Sequence, residues 1–96
     1  MSSNETVSSI FARNLKRCRK AMSLSQEELA YRSSLHRTEI SQLERAMRVP
    51  RLDTVVKLQD SLEAKPEELL KDIIWRPGSL QYGNFQAIEP DALKDG

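Results

Sequence analysis

The sequence predicts an all-α domain of five short helices, with one or two short strands near its C-terminal end. Three observations predict it. Apolar residues recur at three- and four-residue steps through the first three quarters of the chain. Several of these segments open on a recognisable helix start, such as Ser25 three residues before Glu28, or Pro66 ahead of Glu67 and Glu68. The last quarter then changes character: "IIWRPGSLQYGNFQAI" sets Pro-Gly and Gly-Asn turn signals between segments holding Trp75, Tyr82 and Phe85.

Taken in order, Val7, Ile10, Phe11, Leu15, Cys18 and Met22 make one face of a helix over residues 6–22, with Thr6 as N-cap. Arg13, Lys16, Arg17 and Lys20 lie opposite. The Ser25/Glu28 capping box starts a second helix at Gln26 that runs to about Arg32, and Ser33 and Ser34 supply a turn. A third helix spans about 37–46 with Ile40 and Leu43 inward; His36 is a poor residue for its cap. Pro50 closes that region. Leu52, Val55, Val56, Gln59 and Leu62 define a fourth helix, and a fifth runs from Pro66 to about residue 73. Residues 1–74 form the helical domain; residues 75–96 form a C-terminal extension with a frayed tail.

Ninety-six residues, 39% hydrophobic and 30% charged, suit one small soluble domain. No apolar run approaches the roughly 18 to 20 residues that span a bilayer, and the N-terminus has no secretory pattern. The single cysteine, Cys18, excludes an internal disulfide and reads as a small core hydrophobe; a cytoplasmic setting is expected. One cysteine and one histidine give no metal cluster, and there is no phosphate-cradling glycine loop, paired carboxylate or nucleophile–base set. Neither cofactor nor catalysis is expected. The net charge of +1 hides an asymmetry. Residues 1–51 carry ten Lys/Arg against five acids, whereas residues 52–96 carry five against nine. A half that faces a polyanion is joined to a half with another task.

Residues 26–45 form a helix, a tight turn and a second helix. Ala30 is small where the helices cross, Ser34 takes the turn, Leu35 pins it, and Ile40 and Leu43 bury the second helix. This is the spacing of a helix-turn-helix, whose second helix enters the DNA major groove.

Over about residues 9–74, through "LSQEELA", "RTEIS" and "LER" followed by P-x-L-x-T, the chain resembles the Xre-like helix-turn-helix family. That family includes lambdoid phage repressors and the controller proteins of restriction–modification systems. The resemblance implies a phage-repressor-like fold and a set of roles. Gln26 would bond a DNA phosphate and brace the recognition helix. Arg37, Thr38 and Gln42 would reach base edges, Ser41 and Arg45 would flank them on the backbone, and Arg48 would touch DNA from the following loop. Arg19 and Glu44 would form a buried ion bridge between helices one and three. The family usually places glycine where this chain has Ser23, Ser34 and Ala46. Those turns therefore either differ in geometry or tolerate strain.

Chemistry supports the same residues. Arginine can donate bidentately to guanine, glutamine suits adenine, and the Thr38 methyl can pack on thymine. Glu39 either accepts from a cytosine amino group or orients a neighbouring arginine. Arg13 and Arg17 are candidates for phosphate contact, as against an ordinary solvated face. One recognition helix reads too few base pairs to find a genomic site, so a homodimer on a two-fold symmetric operator is expected. Val56, Leu69, Leu70, Ile73, Ile74 and Trp75 are its expected interface, with "YGNFQAI" pairing across the axis or locking helix five. The expected function is a sequence-specific regulator of transcription, a repressor or autoregulatory controller that blocks or recruits RNA polymerase. An antitoxin, with its toxin on the C-terminal tail, or a protein–protein module on the same helices is the alternative.

Overall fold

The computed structural model describes residues 6–76 and 84–86, and it contains α1 (Val7–Ala21), α2 (Gln26–Ser33), α3 (Arg37–Glu44), α4 (Leu52–Ser61), α5 (Pro66–Leu69), β1 (Ile74–Arg76) and β2 (Asn84–Gln86). The strands pair antiparallel, with Trp75 opposite Phe85. Most of the C-terminal extension, including Tyr82, lies outside the described residues.

Local side-chain caps set the helix starts. The Thr6 hydroxyl accepts from Ser9 N at 3.1 Å, and the Ser9 hydroxyl accepts from Thr6 N at the same distance. Ser25 and Glu28 exchange the equivalent pair at 3.0 and 2.7 Å. His36 caps better than its residue type suggests: its Nδ1 accepts from Thr38 N at 3.1 Å, which satisfies an orphan donor at the start of α3.

The helix ends share one solution. After α1, Leu24 N returns to Arg19 O; after α2, Leu35 N returns to Ala30 O; after α3, Met47 N returns to Gln42 O; after α4, Ala64 N returns to Gln59 O. Each is the six-to-one bond of a Schellman turn, and Leu24, Leu35 and Ala64 pack on the core behind theirs, whereas Met47 stays exposed. The residue before each of these four is left-handed: Ser23 (φ 58°), Ser34 (59°), Ala46 (59°) and Glu63 (52°). The turn geometry usual for glycine is therefore kept and the strain of a Cβ is borne. Residues 6–76 contain no glycine at all.

The core joins Phe11 and Leu15 of α1, Leu29 and Ala30 of α2, Ile40 and Leu43 of α3, Leu58 and Leu62 at α4, and Leu69 of α5, with Cys18 at its edge. Helix α1 packs on α3 and α5, and α2 on α3 and α4. Two expectations need correction. Helix α4 buries Thr54, Leu58 and Leu62, and leaves Leu52 80% and Val56 48% exposed. Helix α5 stops at Leu69 because its carbonyls are taken from outside. Asn14, buried on α1, donates from Nδ2 to Leu69 O at 2.9 Å and to Lys71 O at 2.8 Å, and the backbone turns over Asp72 at φ 69°.

Candidate nucleic-acid interface

Helix α3 sorts its side chains by face. Ile40, Leu43 and Glu44 are buried. Arg37, Thr38, Ser41, Gln42 and Arg45 stand zero, one, four, five and eight positions from the helix start, so they share the opposite, solvent-facing side. Arg37, Thr38 and Arg45 are exposed and Ser41 and Gln42 half-buried. The turn at Ser34 aims this face outward, and Leu35 packs behind it on the core.

A polar network fixes the helix from behind. Arg19 on α1 engages both carboxylate oxygens of Glu44, with Nη2 to Oε1 at 2.9 Å, and its Nη1 donates to Leu24 O at 2.7 Å. Gln26 Nε2, at the start of α2, donates to the same Oε1 at 3.0 Å. One carboxylate therefore ties together the three helices that frame the reading surface. Burial pushes the Glu44 carboxyl up. The hydrogen bonds from Arg19 and Gln26 and the charges of Arg19 and Lys16 outweigh that push and hold it below the ordinary value of 4.5. The bond to Glu44 raises the Arg19 guanidinium further still. Burial likewise raises the Cys18 thiol, ahead of a smaller lowering by Arg17, so it is not an activated nucleophile.

Basic side chains border α3. Arg13, Lys16 and Lys20 of α1 line one groove with Arg45 and the turn at Ala46. Arg17 lines that groove too, but its guanidinium turns to the fold, from Nη1 to Asn14 Oδ1 and from Nη2 to Glu68 O, both at 2.9 Å. Arg17 thereby links α5 to α1. Arg48 Nη1 donates to Gln42 Oε1 at 2.9 Å, a link between the loop and the recognition face that residue types alone do not reveal. Asn14 was equally hidden, because a polar residue on a helical stripe gives no sign of carbonyl partners more than 50 positions away.

The expected self-association surface survives only in part. Leu69 is fully buried and belongs to the core, because α5 is held down by Asn14 and Arg17. Val56, Leu70 and Trp75 are 44–54% exposed, and Ile73 and Ile74 half-buried. No helix among the described residues is long and apolar enough to cross a membrane.

Fold and surface together define a DNA-binding regulator of the helix-turn-helix class. A family model described as helix-turn-helix matches residues 15–69, and the chain belongs to that family. The control protein C.BamHI of Bacillus amyloliquefaciens is 39% identical over 62 residues, covering 64% of this chain and 76% of that protein. The restriction–modification controller protein C.AhdI from Aeromonas hydrophila superposes with a TM-score of 0.62 at 37% identity, covering 65% of this chain and 94% of its own. The P22 c2 repressor, crystallised with a synthetic operator, gives 0.59 at 26% identity over 64% of this chain and 92% of its own.

Proposed function

We propose that the protein is a cytoplasmic, non-enzymatic transcriptional regulator that binds a two-fold symmetric operator as a homodimer and acts as an autoregulatory controller or repressor. One observation carries this reading. The outward line of Arg37, Thr38, Ser41 and Gln42 is held rigid by the Arg19–Glu44–Gln26 network behind it and flanked by the groove of Arg13, Lys16, Lys20 and Arg45. Base contacts specify and phosphate contacts position, and this surface offers both kinds side by side. The likeness to C.BamHI and C.AhdI, named as control proteins, supports a controller role over other uses of the fold. Exposed apolar side chains at Val56, Leu70 and Trp75, with half-buried Ile73 and Ile74 beside them in sequence, support an interface with a second copy.

The test is to select bound duplexes from a random pool and sediment the free protein. Enrichment of a two-fold symmetric motif, with half-sites one turn of roughly 34 Å apart, is the expected result, together with a dimer at micromolar concentration. An asymmetric site bound by a monomer would remove the dimer; no enrichment would remove the regulator.

A further inference from the structure

Helix α5 is too short to hold its own shape. Its four residues close on the bond from Leu70 N to Pro66 O at 3.0 Å, and isolated helices shorter than roughly 12 residues are marginal in water. Its place is set from outside, by the buried Leu69 side chain and by α1. Asn14 commits both amide hydrogens to it, at Leu69 O and Lys71 O, and its oxygen accepts from Arg17 Nη1. Arg17 Nη2 then donates to Glu68 O at 2.9 Å. Three backbone carbonyls among residues 68–71 are therefore bonded to two side chains of a neighbouring helix. Leu70, 44% exposed, lies in sequence between two of them, and the Asp72 turn and β1 with Trp75 follow directly.

The same stretch of α1 also holds the reading helix. Arg19, five residues after Asn14, donates from Nη2 to Glu44 of α3 at 2.9 Å. At 1.5 Å per residue, about 7.5 Å of α1 separates the two attachments. A helical segment that short is stiff, since helices curve only over radii of roughly 60–100 Å. Leu70 and Trp75 are among the side chains assigned above to contact with a second copy, so a shift of that contact is carried through α1 to α3. Resting on the homodimer reading, we infer that Asn14 and Arg17 are positioning residues that make residues 14–19 a strut between the interface and the recognition helix. The two-fold axis repeats the strut in the second copy. Together the pair of struts sets the distance between the two reading helices, and with it the half-site spacing the dimer accepts.

The experiment measures the affinity of the wild type, Arg17→Ala and Asn14→Ala for three duplexes. These are the selected operator, the same operator with one base pair inserted between its half-sites, and a single half-site. Thermal melting first shows which variants are folded at the assay temperature; Arg17 is exposed, so Arg17→Ala carries the test if Asn14→Ala unfolds. The insertion moves the half-sites apart by roughly 3.4 Å and should penalise the wild type strongly. Arg17→Ala should shrink that penalty by roughly threefold to tenfold, with affinity for the single half-site unchanged. A folded Arg17→Ala protein with the wild-type spacing penalty would overturn the inference. So would one weakened equally on all three duplexes, which is what a purely structural role would give. Both results leave the homodimer standing, whereas a wild type that sediments as a monomer, free and on its operator, defeats the homodimer reading itself.

Discussion

Glu44, at the last turn of α3, accepts from Arg19 on α1 and from Gln26 on α2 through one oxygen, at 2.9 and 3.0 Å. The recognition helix is thereby held against both of its neighbours by a charge that water scarcely reaches; the Glu44 side chain is 3% exposed and that of Arg19 12%. A buried pair of this kind contributes little net stability compared with apolar packing, but removing one partner leaves the other uncompensated.

Replacing Arg19 by Met should therefore destabilise the protein by about 3 kcal/mol in urea unfolding. Operator affinity should fall together with it, because α3 loses its rear support. A melting curve unchanged by Arg19→Met would mean that the pair does not brace the helix.

The same carboxylate sets an acid limit. Its folded value lies below its ordinary one, so its contribution is fully present above the ordinary carboxylate range near pH 4.5. That contribution is lost as pH falls through the depressed folded value. Thermal stability should drop on acidification below about pH 4.5, and Glu44→Gln should show a shallower drop from a lower starting point. Equal slopes for the two proteins would assign acid unfolding to other groups.

Helix α3 ends on a strained alanine. Ala46 at φ 59° carries a Cβ cost of about 1–2 kcal/mol that glycine escapes. Part of that gain is offset by glycine's greater freedom in the unfolded chain. Ala46→Gly should raise stability by about 0.5–1 kcal/mol, read as a higher urea midpoint at unchanged slope. A lower midpoint would show that the turn relies on the methyl group.

The elements were legible in the sequence where their causes are local. Thr6, Ser25 with Glu28, and Pro66 each announce a helix start, and the spacing of Ala30, Leu35, Ile40 and Leu43 announces the turn between α2 and α3. What escaped depends on distant partners. Nothing near Leu69 says that Asn14 will take its carbonyl and end α5 early. Nothing on α1 marks Arg17 as a basic residue whose guanidinium reaches Glu68 O beside α5. In α4, apolar residues occupy two faces, and only the packing of α2 and α5 decides that Leu58 enters the core while Val56 stays outside.

That division makes a prediction about salt. Lys16→Ala and Arg45→Ala should weaken binding to specific and random duplexes alike, and each should reduce the slope of log affinity against log salt by about 1. Arg17→Ala should leave the slope unchanged and instead lower stability, since it loosens α5. A slope change for Arg17→Ala equal to that for Lys16→Ala would return Arg17 to the DNA surface.

The central claim is that the outward face of α3 meets base edges. Its most direct measurement is isotope-edited NMR of the protein titrated with its selected duplex, following backbone amides together with the side-chain signals of Arg37 and Gln42. The account predicts the largest shifts, with intermolecular contacts to bases, at Arg37, Thr38, Ser41 and Gln42, and smaller shifts along Lys16, Lys20 and Arg45. Shifts concentrated instead on the α2 surface around Glu27 and Tyr31, with α3 unperturbed, would contradict it.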